Sequence, residues 1–295
     1  MDRQVMESVM GWNKVAVIGA GMTAFGELFD SGLEQIAAEA FIEAVESVDK
    51  GFDVRQIDAA YFANVVGSLQ GNEIPSGATL TNAIGLPGLP ATLVENGCPT
   101  GSDAFRQACL AVASGVSEVV LVVGAEKLRE RSTKGSLLES GRMGHPLLSY
   151  GGTATTLFAP QVIRHMHEYG TTHEQMAMVA VKNWSNANRN PKAQRVGAVT
   201  VEDVLRSPMV CDPFHVLDAC PQSDGAAAVI VCSAERAPEF TDKPVLVAGL
   251  GLATDRLYLH EKKSTTGWDC SRLAADRAYA MAGITPDNLD LAEVH

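Results

Sequence analysis

Two stretches of this chain, far apart in sequence, repeat one another. Val15-Ala-Val-Ile-Gly-Ala-Gly21 and Val245-Leu-Val-Ala-Gly-Leu-Gly251 align at a constant offset, pairing Val15 with Val245, Val17 with Val247, Gly19 with Gly249 and Gly21 with Gly251. Each is a short apolar strand ending in spaced glycines. Each is followed by an amphipathic helix, over 33–48 in the first copy and 271–282 in the second, and then by a similar phrase, Ile57-Asp58-Ala59-Ala60 or Leu289-Asp290-Leu291-Ala292. An internal repeat of this kind constrains the fold more than composition does, because one strand–helix–strand unit has been used twice. The first copy runs on through further elements, whereas the second stops at His295. The expectation is an α/β chain whose second half is incomplete, part of a longer whole.

The Gly-x-Gly pair invites a dinucleotide fold. That fingerprint needs a third glycine three residues after Gly21, where Ala24 stands, and a helix starting at once, where Phe25-Gly26-Glu27 intervenes. The glycines read instead as a turn or a close backbone approach.

Between the repeats, 57–65 reads as a strand and 78–84 as a short helix, and 91–95 leads into the turn around residue 98. The continuous apolar run 118–124 fits a strand buried on both faces. Polar residues thicken from about 126, and helical patterns follow over 156–169 and 173–188, as in an excursion inserted into a sheet domain. A capped turn at 200–205 and a buried strand at 225–232 lead back. The predicted organisation is a first half over 1–125, an inserted loop domain over 126–200, a return over 201–242, and the start of a second half over 243–295.

Within the first half, Asn96-Gly-Cys-Pro-Thr-Gly101 places Cys98 in a tight turn directly before an amphipathic helix with Phe105, Ala108, Cys109 and Val112 on one face. Unpaired N–H groups and the dipole at a helix N-terminus favour a thiolate, so this thiol is a candidate nucleophile. A free cysteine is also among the most often buried residues, and the local pattern leaves both readings open.

A hydrophobic content of 46% and a net charge of −12 describe a core-building acidic chain without the basic footprint of a general nucleic-acid binder. No apolar run reaches the roughly 18 residues of a membrane span, and residues 1–13 lack a secretory signal pattern. The six cysteines form no CxxC pair, which predicts reduced thiols in a cytoplasmic protein. His165 and His167, two apart on a helix, point in different directions, so no metal site is predicted.

Taken together, these motifs resemble the thiolase superfamily, specifically its sterol-carrier-protein-type branch and the related acetyl-CoA acetyltransferases. The resemblance rests on Val17-Ile-Gly-Ala-Gly-Met-Thr-Ala-Phe-Gly26, Glu95-Asn-Gly-Cys-Pro-Thr-Gly-Ser102, Val123-Gly-Ala-Glu-Lys127, Tyr169-Gly-Thr-Thr172, Val181-Lys-Asn183, Asn190-Pro191, Asp218-Ala-Cys-Pro-Gln-Ser-Asp-Gly-Ala-Ala227 and Ala292-Glu-Val-His295. The nucleophile motif departs from the family's usual Cys-Ala-Ser-Gly, with Pro99 and Thr100 in place of Ala and Ser.

The resemblance implies a duplicated βαβαβ layered fold (αβαβα) with an inserted loop domain. It implies acyl transfer between a 3-oxoacyl-CoA and coenzyme A through an acyl-cysteine on Cys98, or the reverse Claisen condensation. Coenzyme A enters as co-substrate, with no permanently bound cofactor. His295 resembles the residue that helps bind the thioester oxygen. The family's activating histidine and acid/base cysteine would lie beyond His295, and Gly144-His145-Pro146 has the right letters in the wrong place. A homodimer and a small zinc-ribbon/OB-fold acyl-CoA-associated partner are implied too. The acyl group is left open among short-chain, steroid side-chain and aromatic types, including a benzoylsuccinyl-CoA-type substrate.

Lys182, Arg189, Lys192 and Arg195 form the best local basic cluster for the CoA phosphates, and a solvated face explains them equally well. Leu137, Leu138, Leu147 and Leu148 are candidates for an acyl pocket or for loop packing. Cys109 and Cys232 read as core, Cys211 and Cys220 as packed, and Asp224 as a cap or turn residue. The competing functions are a retro-aldolase acting on a 3-hydroxyacyl-CoA side chain, which needs no acyl-cysteine, and a non-catalytic acyl-CoA-binding subunit. Gly97-Cys98-Pro99-Thr100-Gly101 does not fit a hydrolase elbow.

Overall fold

The computed structural model describes residues 12–67, 75–130, 153–256 and 258–294. In chain order its elements are β1 (Val15–Met22), α1 (Leu33–Glu46), β2 (Ala59–Ala63), α2 (Gly77–Ala83), β3 (Ala91–Val94), α3 (Thr100–Ala113), β4 (Val119–Lys127), α4 (Ala154–Tyr169), α5 (His173–Ala187), α6 (Val201–Arg206), β5 (Met209–Cys211), β6 (Phe214–His215), β7 (Asp224–Ser233), α7 (Ala237–Phe240), β8 (Val245–Val247) and α8 (Asp269–Ala282).

A six-stranded mixed sheet in the order β3-β2-β4-β7-β1-β8 forms the centre. β3, β2 and β4 run parallel, while β7 is antiparallel to both β4 and β1. Alternation of side chains along each strand divides the core into two layers. On one face Ala16, Ile18, Leu121, Val123 and Ile230 pack with Ile36, Ala40, Phe41 and Ala44 of α1 and Leu80 of α2. On the other, Val15, Val94, Val120, Val122 and Val231 pack with Ala104, Ala108, Cys109 and Val112 of α3. Being covered on both sides is why 119–123 carries no polar residue.

The repeat has a direct structural counterpart. β1 and β8 are antiparallel neighbours, with Val15 opposite Val247, Ala16 opposite Leu246 and Val17 opposite Val245. Val15 is therefore paired with the counterpart of Val17, and Val17 with the counterpart of Val15. This reciprocal pairing relates the two strands by a local twofold. The glycines serve the same purpose in both copies. A Cβ on Gly21 would sit 2.3 Å from Ala44 N and 2.5 Å from Ala40 O, and one on Gly251 would sit 1.8 Å from Ala274 O. A bulge between Val17 and Gly19 turns Gly19 and Gly21 towards α1. The Gly-x-Gly motif thus lets each helix backbone approach its strand, as the close-approach reading expected.

The excursion between β4 and β7 carries its own small core, in which Ala177 and Ala180 of α5 meet Val204 of α6, with Trp184 and Leu217 alongside. The cluster spans residues on both sides of position 200. At its base lies Asp224, 0% exposed. Its carboxylate accepts from Leu28 N at 3.1 Å, Arg129 N at 2.8 Å and Lys127 Nζ at 3.0 Å. A buried charge persists only when paired and hydrogen-bonded in this way. Asp224 is thus a clamp that ties the start of β7 to the end of β4 and to the segment that follows β1.

Two expectations need correction. Leu289–Ala292 was expected to match the strand phrase of the first copy, but residues 289–294 belong to no strand, and Leu291 is 87% exposed. Strand geometry needs neighbours to supply hydrogen bonds, and among the described residues this phrase has none. Cys220, expected to pack, is exposed on the irregular chain after β6, and Cys211, the last residue of β5, is half-buried on the small surface hairpin. No helix of the described residues is long and apolar enough to cross a membrane.

Candidate active site

The C-terminal ends of β3, β2 and β4 point the same way, because Ala63 is paired in parallel with Val94 on one side and Gly124 on the other. In parallel α/β sheets this edge is where ligands bind. Two segments leave the sheet here, Glu95–Pro99 after β3 and Asn64–Gly67 after β2, beside Glu126 and Lys127 at the end of β4.

The segment after β3 forms the Cys98 turn. Gly97 takes φ +62°, a left-handed conformation that favours glycine. Thr100, 3% exposed, locks the turn from inside. Its hydroxyl accepts from Asn96 N at 2.7 Å and donates to Gly97 O at 2.6 Å. Thr100 N also donates to Gly97 O, at 3.0 Å. Asn96 Nδ2 donates to Asp103 Oδ2 at 3.1 Å, and Glu95 Oε1 accepts from Gly97 N at 2.7 Å. The backbone around Cys98 is thereby held from both sides while the thiol remains exposed. α3 begins two residues later, with Pro99 as its N-cap, and an α-helix leaves its first N–H groups without intrahelical acceptors. The two buried thiols differ sharply. Cys109 on α3 and Cys232 on β7 are both 0% exposed, and burial pushes each up to about 12. They are core residues, as expected, and all six cysteines are free.

The sequence reading gave no role to the residues that build this turn, Asn96, Thr100 and Asp103, nor to the pair beside it, Asn64 and Glu126. The available signal was polar residues at otherwise apolar positions. Asp103 sits on the core side of an amphipathic helix, and Glu126 ends a run of seven apolar or glycine residues. Asn64, 3% exposed, donates Nδ2 to Ala125 O at 2.7 Å and to Glu126 Oε2 at 3.2 Å, and its Oδ1 accepts from Gly67 N at 2.9 Å. Val65 N and Val66 N also donate to the Glu126 carboxylate. Burial raises Glu126 to about 7, partly offset by those two N–H donors.

The basic cluster divides by partner. Lys192 Nζ is committed to the Glu43 carboxylate and Met22 O. Arg195 donates to Val216 O at 3.2 Å and Ala219 O at 2.9 Å and lies over the Trp184 ring. Lys182 and Arg189 are exposed. His295, His145, Leu137, Leu138, Leu147 and Leu148 lie outside the described residues.

Residues 15–235 match the family described as thiolase, N-terminal domain. An acetyl-CoA acetyltransferase of Methanothermobacter thermautotrophicus is 40% identical over 281 residues, which cover 95% of this chain and 73% of the relative. A benzoylsuccinyl-CoA thiolase subunit, BbsB of Thauera aromatica, is 30% identical over 286 residues, 96% of this chain and 71% of its own. The solved structure named Ltp2-ChsH2(DUF35) aldolase superposes with a TM-score of 0.81 at 26% identity, covering 94% of this chain and 72% of that one. The match to the family over most of the chain, and the acetyltransferase's identity along nearly all of it, agree with the layered sheet and its repeat: the chain belongs to the thiolase superfamily, in its sterol-carrier-protein-type branch, and is an enzyme of the acyl-CoA acyltransferase kind.

Proposed function

We propose that the protein cleaves a 3-oxoacyl-CoA with coenzyme A, or runs the reverse condensation, through an acyl-cysteine on Cys98. The observation that carries this reading is the exposed thiol of Cys98, on a turn braced by Thr100 and Asn96 at the start of α3. The Cys98 thiolate attacks the 3-keto carbon and forms a carbon–sulfur bond. The Cα–Cβ bond breaks, its electron pair passes to the departing acyl-CoA enolate, and that enolate takes a proton. The thiol of coenzyme A, losing its proton, then attacks the Cys98 thioester and releases the new acyl-CoA and the Cys98 thiolate. Oxyanions form at both carbonyl attacks and need fixed donors. The Cys98 N–H is assigned to one of them and His295 to the thioester oxygen of the enolate.

Lys182, Arg189 and Arg195 are assigned to the phosphates of coenzyme A, Arg195 with part of its guanidinium already held by Val216 O and Ala219 O. β3 is an edge strand with Thr92 and Leu93 exposed, which supports a homodimer across that edge. The name of the Thauera relative supports a bulky or aromatic acyl group, and the DUF35 protein in the name of the solved aldolase supports a small zinc-ribbon/OB-fold partner. A cytoplasmic location completes this reading.

A second reading has specific support, because the structure superposing at TM-score 0.81 is named an aldolase. Intact-mass spectrometry after mixing with 3-oxoacyl-CoAs separates the two. An acyl adduct on Cys98 that is lost in Cys98→Ser supports acyl transfer. Carbon–carbon cleavage of a 3-hydroxyacyl-CoA that persists in Cys98→Ser supports the aldolase.

A further inference from the structure

Glu126 is an acid with three donors aimed at it and no described cation paired to it. Side-chain alternation along β4 puts Val120, Val122 and Gly124 on the α3 face, and Glu126 follows them two residues on, at the C-terminal edge. The Cys98 turn leaves the sheet at the same edge, and α3 returns over the same face. Val65 N, Val66 N and Asn64 Nδ2 converge on the carboxylate. The ionised carboxylate, acceptor-only, satisfies all three donors, whereas the protonated form would add an O–H for which none of the three offers an acceptor. Residue 64 carries the constraint onward, since its N–H donates to Val94 O at 3.4 Å, on the last residue of β3 before the Cys98 turn.

We propose that Glu126 is a positioning residue for acyl transfer. Its carboxylate fixes the backbone beyond β2, and through Asn64 it fixes the end of β3 from which the Cys98 turn departs. This rests on the reading of Cys98 as the acyl carrier. Burial that holds Glu126 near neutrality couples that positioning to pH. The charged groups on the flanking elements are few. Asp103 and Arg106 belong to α3, where they form a pair, and Glu95 follows β3. Lys127 and Asp224 turn to the opposite face of the sheet and bind each other. None of these is hydrogen-bonded to Glu126, so its ionisation answers mainly to burial and to the backbone it holds.

The test is the full-length protein and its Glu126→Gln variant, assayed from pH 5.5 to 9 for cleavage of a 3-oxoacyl-CoA, with acylation of Cys98 followed by intact mass. The glutamine amide offers a donor where an acceptor is needed. The expected result is a kcat lower by about tenfold to a hundredfold, the scale of a misplaced reacting group, with KM nearly unchanged. The inflection near neutrality seen in wild type should be missing from the variant. Equal kcat and the same pH profile in both proteins would overturn the inference while leaving the Cys98 reading intact. A wild type that cleaves substrate without ever forming a Cys98 adduct would overturn that reading instead. Should Glu126→Gln fail to fold, Asn64→Ala decides. It keeps the carboxylate on the N–H groups of Val65 and Val66 and the backbone bond to Val94 O, and removes the side-chain bonds that tie residue 64 to Glu126, Ala125 O and Gly67 N. A several-fold lower kcat supports the inference, and an unchanged kcat refutes it.

Discussion

Replacing Gly21 by alanine tests the physical reason for the repeated Gly-x-Gly motif. Within a strand, Gly→Ala is ordinarily favourable by roughly 0.5–1 kcal/mol. Here the added methyl would lie 2.3 Å from Ala44 N, 2.5 Å from Ala40 O and 2.8 Å from Glu43 C, all atoms of the α1 backbone. Relief requires α1 to retreat by about 1 Å, because no flexible side chain is available to swing aside. α1 places Leu33, Ile36, Ala37, Ala40, Phe41 and Ala44 in the core. A gap of that size forfeits about a quarter to a half of each affected dispersion contact. Overpacking ordinarily costs about 1–3 kcal/mol, and a rigid helix backbone as the obstacle places Gly21→Ala at or above the top of that range. The assay is urea unfolding followed by circular dichroism, with the slope compared to show that the same transition is measured. Gly124→Ala is the control, since its Cβ would meet Ala63 Cβ at an ordinary 3.6 Å. A loss below about 1 kcal/mol for Gly21→Ala, equal to that control, would refute close packing as the motif's purpose. Gly251→Ala, with its 1.8 Å approach to Ala274 O, should behave like Gly21→Ala.

Thr100→Val removes the hydroxyl that bridges Asn96 N and Gly97 O and should cost about 1–3 kcal/mol, mainly for Asn96 N left without its acceptor, since Gly97 O keeps the Thr100 N–H; Thr100→Ser should retain most of the activity in a cleavage assay. Iodoacetamide should label Cys98 and Cys220 in the native protein, while Cys109 and Cys232, buried with thiols pushed up to about 12, should label only under denaturant, as read by peptide mass spectrometry. Glu126 also gives stability a pH dependence. Its folded value of about 7 lies above its ordinary 4.5, so the native state binds the extra proton between those values. The stabilisation is complete below 4.5 and is lost as pH rises through 7, with an upper limit of about 3 kcal/mol. Urea midpoints at pH 5 and pH 8 should therefore differ less in Glu126→Gln than in wild type, and an identical difference would refute the assignment.

Apolar periodicity and the repeat were enough to locate β1, α1, β4, α5, β7 and α8 to within a few residues, since a face that must be buried leaves its period in the sequence. They also located the Cys98 turn, because Gly97 before a helix is a local signal. That two glycines serve packing rather than a nucleotide was legible from a missing third glycine and a delayed helix. What the tertiary structure decided was everything carried by contacts between distant residues. That β8 joins β1 through a local twofold depends on strand pairing, which no single strand encodes. The clamp at Asp224 joins Leu28, Lys127 and Arg129 across the chain, and the placement of Asn64 and Glu126 at the edge where Cys98 emerges follows from the parallel register of β3, β2 and β4. The sequence by itself determined which residues must be buried and where a nucleophile could be presented. Only the fold determined which polar groups share that burial, because a polar side chain carries no periodic signature of the partner that will satisfy it.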